Sequence, residues 1–255
     1  MKTCIAVVLL LVSNLGWSQA PLNGRQQNLS AYPESEASAA WHALAASYVR
    51  QALKEHTLDD EPVLNARVDA AMAAVGAAAA ALDPRFSASY WRAILIADFG
   101  RGASAFPGGT LIVDAKFVRA LELTDDELAF VLSHEVAHVI AGHAIEKLSF
   151  MAGQLGKDKA PTARTALLEF LTRDSYAAMF RPTARLQERE ADAIGAAILF
   201  ASGYDPQRAL KLFEKLEVVE TRGEGLGDED THDAASVRRT AVAEVFAELR
   251  QRVAP

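Results

Sequence analysis

Two of the six histidines stand four residues apart around a glutamate, in His134-Glu135-Val136-Ala137-His138. On a helix, positions i and i+4 lie one above the other on one face, so both imidazoles can hold one Zn²⁺. A glutamate beside the first histidine can reach a water on that ion and act as its base, the arrangement for metal-assisted hydrolysis. The flanking residues predict the helix. Thr124 and Glu127 form a capping box, and Asp125 and Asp126 complement the positive helix end. Leu128, Val131, Leu132 and Val136 recur at helical spacing and would bury the opposite stripe.

A zinc site that keeps a position open for water needs a third protein ligand. The chain offers two candidates. His143 lies five residues beyond His138, next to Gly142. If the helix continued, it would point away from His138, and it reads as a polar residue at the helix end. The segment Leu186-Gln187-Glu188-Arg189-Glu190-Ala191-Asp192 is the stronger candidate. Glu188 and Asp192 share a helical face. Glu188 could bind zinc while Asp192 accepts the N–H of a ligating imidazole and fixes its tautomer. Glu190 points elsewhere, about 200° around the helix from Glu188. The alternative for this run is a solvated charged face.

Taken together, HEVAHVIAGH and the later EREADAIG resemble the gluzincin metallopeptidases related to the CAAX prenyl endopeptidase and HtpX. Phe106-Pro107-Gly108-Gly109-Thr110-Leu111-Ile112-Val113 is similar to the family's PGG-plus-strand element. Thr231-His232, with Arg238 six residues on, is similar to its late TH(P)…R element. The resemblance runs from about Ala97 to Val242. It implies His134, His138 and Glu188 as ligands of one zinc, Glu135 as general base, Asp192 behind a ligand, and His232 and Arg238 near the site. Two departures stand out. Asp233 replaces the family's proline, and Gly102 stands near the place of its usual asparagine.

The rest of the chain bounds this expectation. Lys2 followed by the apolar run 5–12 and small residues around Gly16 to Ala20 reads as a secretion signal over residues 1–20. The only cysteine, Cys4, falls inside it, so a core rather than disulfides must stabilise the remaining residues. No later segment reads as a transmembrane helix, and the alanine-rich run 70–82 reads as a tightly packed one. The resemblance is therefore to the soluble secreted branch, placed in the periplasm, leaving room for peripheral membrane association. A net charge of -7 with no basic stripe argues against nucleic acid as a partner.

The expected fold is α+β and mainly helical, a zincin-like domain over residues 39–255 with a small sheet and the HExxH helix. Residues 21–38 are expected to be a flexible leader. Helices are predicted over 39–55 and 62–82, strands over 90–98 and 110–113, and a turn over 100–105. A short helix over 114–121 leads into the metal helix. Residues 144–183 form a helical insert, either a lid or a plain hairpin, with a helix over about 162–180. Further helices cover 185–202, 206–219 and 234–250, with an acidic glycine-rich loop over 223–230.

The expected function is a zinc-dependent endopeptidase acting on unfolded or misassembled envelope polypeptides. Strand 110–113 would pair with an extended substrate. His232 or Arg238 would stabilise the oxyanion, or His232 would take the open zinc position and hold the enzyme latent. A zinc-bound adaptor or chaperone that does not cleave is the alternative, although it gives Glu135 no task.

Overall fold

The computed structural model describes residues 26–156, 158–222 and 231–253. The expected signal over 1–20, the start of the leader and the loop 223–230 lie outside them.

The chain is mainly helical around three strands, β1 (Arg92–Ile96), β2 (Ala103–Phe106) and β3 (Thr110–Asp114), as the α+β expectation requires. The strand order is β1-β3-β2, with β1 parallel and β2 antiparallel to β3. All five residues of β3 are buried, and its side chains alternate between two cores. Leu111 and Val113 enter a core shared with α2 (Pro62–Leu82) and, beyond β3 and its short helix α3 (Ala115–Ala120), α4 (Asp125–Ile140). Ile112 enters a second core with Trp41 of α1 (Glu34–Glu55) and with Leu148 and Met151 of α5 (His143–Leu155).

The structure corrects two expectations about the sheet. Residues 100–105 are not simply a turn, because Ala103 to Phe106 extend against β3. Thr110–Val113 cannot take up a substrate strand, because β3 is central and both its edges are already hydrogen-bonded. Among the described residues, the outer edge of the sheet next to the helix carrying His134 belongs to β2. There the Ala105 N–H donates to the Glu135 carboxylate at 2.8 Å.

The helix carrying His134 is built as its sequence dictates. Thr124 and Glu127 form the capping box, and three acidic residues occupy the first turn. Such a cap contributes about 1 kcal/mol. Leu128, Leu132 and Val136 are buried. The partner helix α7 (Asp174–Ser202) is longer than expected. The predicted 162–180 helix instead breaks at Arg173, separating α6 (Ala163–Thr172) from α7. Pro182 is accommodated inside α7, two turns before Glu188. The predicted 206–219 helix likewise divides into α8 (Pro206–Ala209) and α9 (Lys211–Arg222), followed by α10 (Ala235–Val253).

α2 is 21 residues long and, among the described residues, is the single helix long and apolar enough by itself to cross a membrane. This corrects the sequence expectation on length and composition. In the fold its Leu64, Val68, Met72 and Val75 are buried in the first core.

The turn from β2 into β3 demands glycine. Gly109 has φ +77, and a Cβ there would lie 1.9 Å from the Tyr90 carbonyl oxygen. Gly109→Ala is expected to lower unfolding stability by about 2–3 kcal/mol, read from urea denaturation.

Candidate metal centre

α4 and α7 make the most extensive helix contact in the fold. They approach so closely that a Cβ on Gly195 would lie 2.9 Å from the Cα of His134. This crossing puts the predicted residues of both helices together. His134 Nε2 lies 3.1 Å from His138 Nε2 and 3.2 Å from Glu188 Oε2, and His138 Nε2 lies 3.5 Å from Glu188 Oε2. Donor atoms of one tetrahedral zinc, each about 2.0–2.1 Å from the ion, sit roughly 3.3–3.4 Å apart. The triangle therefore has the size and chemistry of a zinc set. Glu188 Oε2 is buried among this ring of nitrogens, as expected of an oxygen aimed at a shared cation.

His232 joins the group from the segment before α10. Its Nε2 is 2.8 Å from Glu188 Oε2, and His134, Glu188 and His232 offer ligand atoms within 4.8 Å of one another. Asp233, where the resembling family has proline, pairs with Arg189 at 2.6 Å.

Asp192 sits behind His134, its Oδ1 3.0 Å from Nδ1. Arg238 reaches the same carboxylate with two bonds of 2.8 Å, from Nε and Nη2. Arg238 is thus directed at Asp192 rather than at the open face of the cluster, which counts against the expected oxyanion role. Burial would raise the Asp192 pKa, but the Arg238 charge and the bonds to Arg238 and His134 hold it well below the usual range. Burial would likewise raise Glu188, and the surrounding imidazoles pull it well below its ordinary value. Burial lowers the His134 pKa, yet Asp192 and Glu188 outweigh it and hold the ring at about 10.

His143 was expected to point away from His138, and the structure corrects this. The helix does not continue, since Gly142 adopts φ +70 and the axis turns by 46° before α5. His143 is swung inward and buried, with its Nδ1 2.9 Å from His138 Nδ1. Glu190, which does point away from Glu188, receives the other face of His143 at 3.2 Å from Nε2. Gln187 donates to the His143 carbonyl at 3.3 Å and to Glu146 at 2.7 Å. Periodicity missed this group. The available signal was Gly142 directly before a histidine, which permits a left-handed break.

The cluster opens onto a cleft of about 780 Å³, walled by Ala105 on β2, by Glu135, and by Lys147, Phe170 and Phe180 of the 144–183 region. The Lys147 ammonium lies 4.9 Å from the Phe170 ring centroid and 5.6 Å from that of Phe180. The same region contributes Leu148, Met151 and Leu167 to the second core.

Residues 62–248 match Peptidase family M48, and the chain belongs to that family. It is similar to the mitochondrial metalloendopeptidase OMA1 of Schizosaccharomyces pombe, 29% identical over 171 residues, which are 63% of this chain and 48% of that protein. The OMA1 of Arabidopsis thaliana is 30% identical over 164 residues, covering 60% and 31%. The beta-barrel assembly-enhancing protease of Escherichia coli (strain K12) is 32% identical over 126 residues, covering 45% and 26%. The chain spans less than half the length of these relatives.

Removing Arg238 would leave Asp192 buried with one partner fewer. Arg238→Met is expected to cost about 3–5 kcal/mol at pH 7 in chemical denaturation. Because the Asp192 pKa is depressed, its contribution is present above the unfolded value of 3.8 and is lost as pH falls. The deficit of the variant should therefore shrink in acid.

Proposed function

We propose that this chain is a zinc-dependent endopeptidase that cleaves unfolded or misassembled polypeptides. The observation that carries this reading is the convergence of His134, His138 and Glu188 with Glu135 at the mouth of the same cleft. His134, His138 and Glu188 would hold the ion, with Asp192 orienting His134 and Arg238 holding Asp192. Zinc bound there would supply Lewis-acid polarisation of a peptide carbonyl and would acidify a water. Glu135, which lines the same cleft, would serve as the general base that accepts a proton from the attacking water and returns it to the leaving amine. Its present bond to the Ala105 N–H ties the base to the edge of β2, where an extended peptide could add as a further strand. Main-chain pairing of this kind discriminates little between side chains, so selection falls on chains that are already unfolded.

The names of the bacterial relatives concern β-barrel assembly, which supports a quality-control role in the envelope and a periplasmic location. His232, 2.8 Å from Glu188, is within reach of the ion. That proximity favours a second reading of His232, as an added ligand that keeps the enzyme latent rather than as the oxyanion donor. His232→Ala separates the two, since activity should rise if the residue is a latch and fall if it stabilises the oxyanion.

Casein digestion by the zinc-loaded parent beside equally loaded Glu135→Gln tests the main reading. The variant should keep its zinc and lose about 10²–10⁴-fold in rate. Equal digestion by both would remove Glu135 as the base, and no digestion by either or by His232→Ala would leave the non-cleaving adaptor. Zinc must also displace the proton that His134 carries below about pH 10. Zinc addition at pH 7 should therefore release protons, and apparent affinity should rise with pH up to that value.

A further inference from the structure

The two histidines of the HExxH motif are backed differently. His134 leans directly on a carboxylate, Asp192, at 3.0 Å. Behind His138 stands another imidazole, His143, with the Nδ1 atoms 2.9 Å apart and the rings 77° from coplanar. Behind His143 stands a carboxylate, Glu190, 3.2 Å from Nε2. His143 and Glu190 are 2% and 1% exposed, so bulk water does not take the place of either contact.

We infer that Glu190 and His143 form a positioning pair for His138, a relay that sets which nitrogen of His138 is free to bind metal. This inference rests on the reading of His138 as a zinc ligand.

Donor and acceptor capacities fix the assignment. A carboxylate only accepts, so Glu190 requires the proton of His143 on Nε2. A neutral His143 then presents a lone pair at Nδ1. A hydrogen bond between two Nδ1 atoms needs one N–H, which must come from His138. His138 is thereby protonated on Nδ1, and its Nε2 lone pair faces His134 and Glu188. The opposite orientation would put a hydrogen on Nε2, between the three donors, where it would exclude a cation.

The backbone supports the same assignment. Gly142 in the left-handed region lets the chain turn, and α5 then starts with His143 beneath His138. Gln187 holds the His143 carbonyl from α7, the helix that also supplies Glu188, Glu190 and Asp192. One helix thus brings a ligand and the carboxylates that orient both histidines. Glu190 can do this while facing away from Glu188, because α5 lies on its other side.

The test measures zinc affinity by competition with a chromophoric chelator, for the parent, Glu190→Gln, His143→Phe and the double variant. Each single variant is expected to weaken zinc binding about 10–100-fold. The double variant should be no weaker than the worse single one, because both act through one path. Unchanged affinity, or losses that add, would overturn the relay. Long-range ¹⁵N–¹H spectra of the zinc-loaded parent provide a readout that general destabilisation would not move, and they decide the matter if a variant does not fold. The relay requires the proton of His143 on Nε2 and that of His138 on Nδ1. A His143 proton on Nδ1 would sink it. A parent that takes up no zinc, or a His138→Ala protein that binds as the parent does, would refute the ligand assignment itself and not merely the relay.

Discussion

Everything at this site depends on how closely α4 and α7 can approach. Gly195 packs against the backbone of His134, and any side chain there would have to push the helices apart. The glycine sits within a turn of Asp192, so the same close contact that seals the core brings a carboxylate to the ring of His134. A gap of even an ångström would break that bond, since hydrogen bonds fade beyond about 3.2 Å. Core packing and site geometry are therefore one constraint seen from two sides.

Burying so many ionisable groups has an electrostatic cost that the architecture must offset. Asp192 is met by Arg238 and His134, and Glu188 by three imidazoles. Breaking a buried pair usually costs more than forming it contributes, so such groups are better explained by the geometry they impose than by stability. The cationic side of the Glu188 cluster is what a bound metal would share. The shifted pKa values of His134 and Glu188 mark the same place as the geometry does.

The sheet and the two cores put this cluster at the wall of a cleft. β3 is buried on both faces and serves as the central strand, while β2 lies beside α4 with its edge N–H on Glu135. The region 144–183 is part of the second core and also forms one side of the cleft, through Phe170 and Phe180. Substrate-facing surface and structural support are thus made by the same residues. Any movement of this wall would have to disturb the packing of Leu148, Met151 and Leu167.

Local chemistry was enough to read α4, because its cap, its apolar stripe and its two histidines all lie within twenty residues of one another and obey one helical period. Glu188 and Asp192 were legible for the same reason, being one turn apart. The family elements placed His232 and Arg238 near the site, but only the fold showed that Arg238 is turned toward Asp192. The sheet was half legible. Strand-forming residues marked β1 and β3, whereas the short Ala103–Phe106 run has no strong pattern, and which strand is central depends on pairings across the chain. His143 was misjudged because helical phase was carried past Gly142, where a left-handed residue ends it, and the correct reading that Glu190 faces away from Glu188 did not reveal that it faces His143. The sequence by itself determined the types of the clustered side chains, their helical spacing and the family resemblance. Only the tertiary structure decided which carboxylate serves which imidazole, because that depends on two helices crossing at a glycine and a third turning back beneath them.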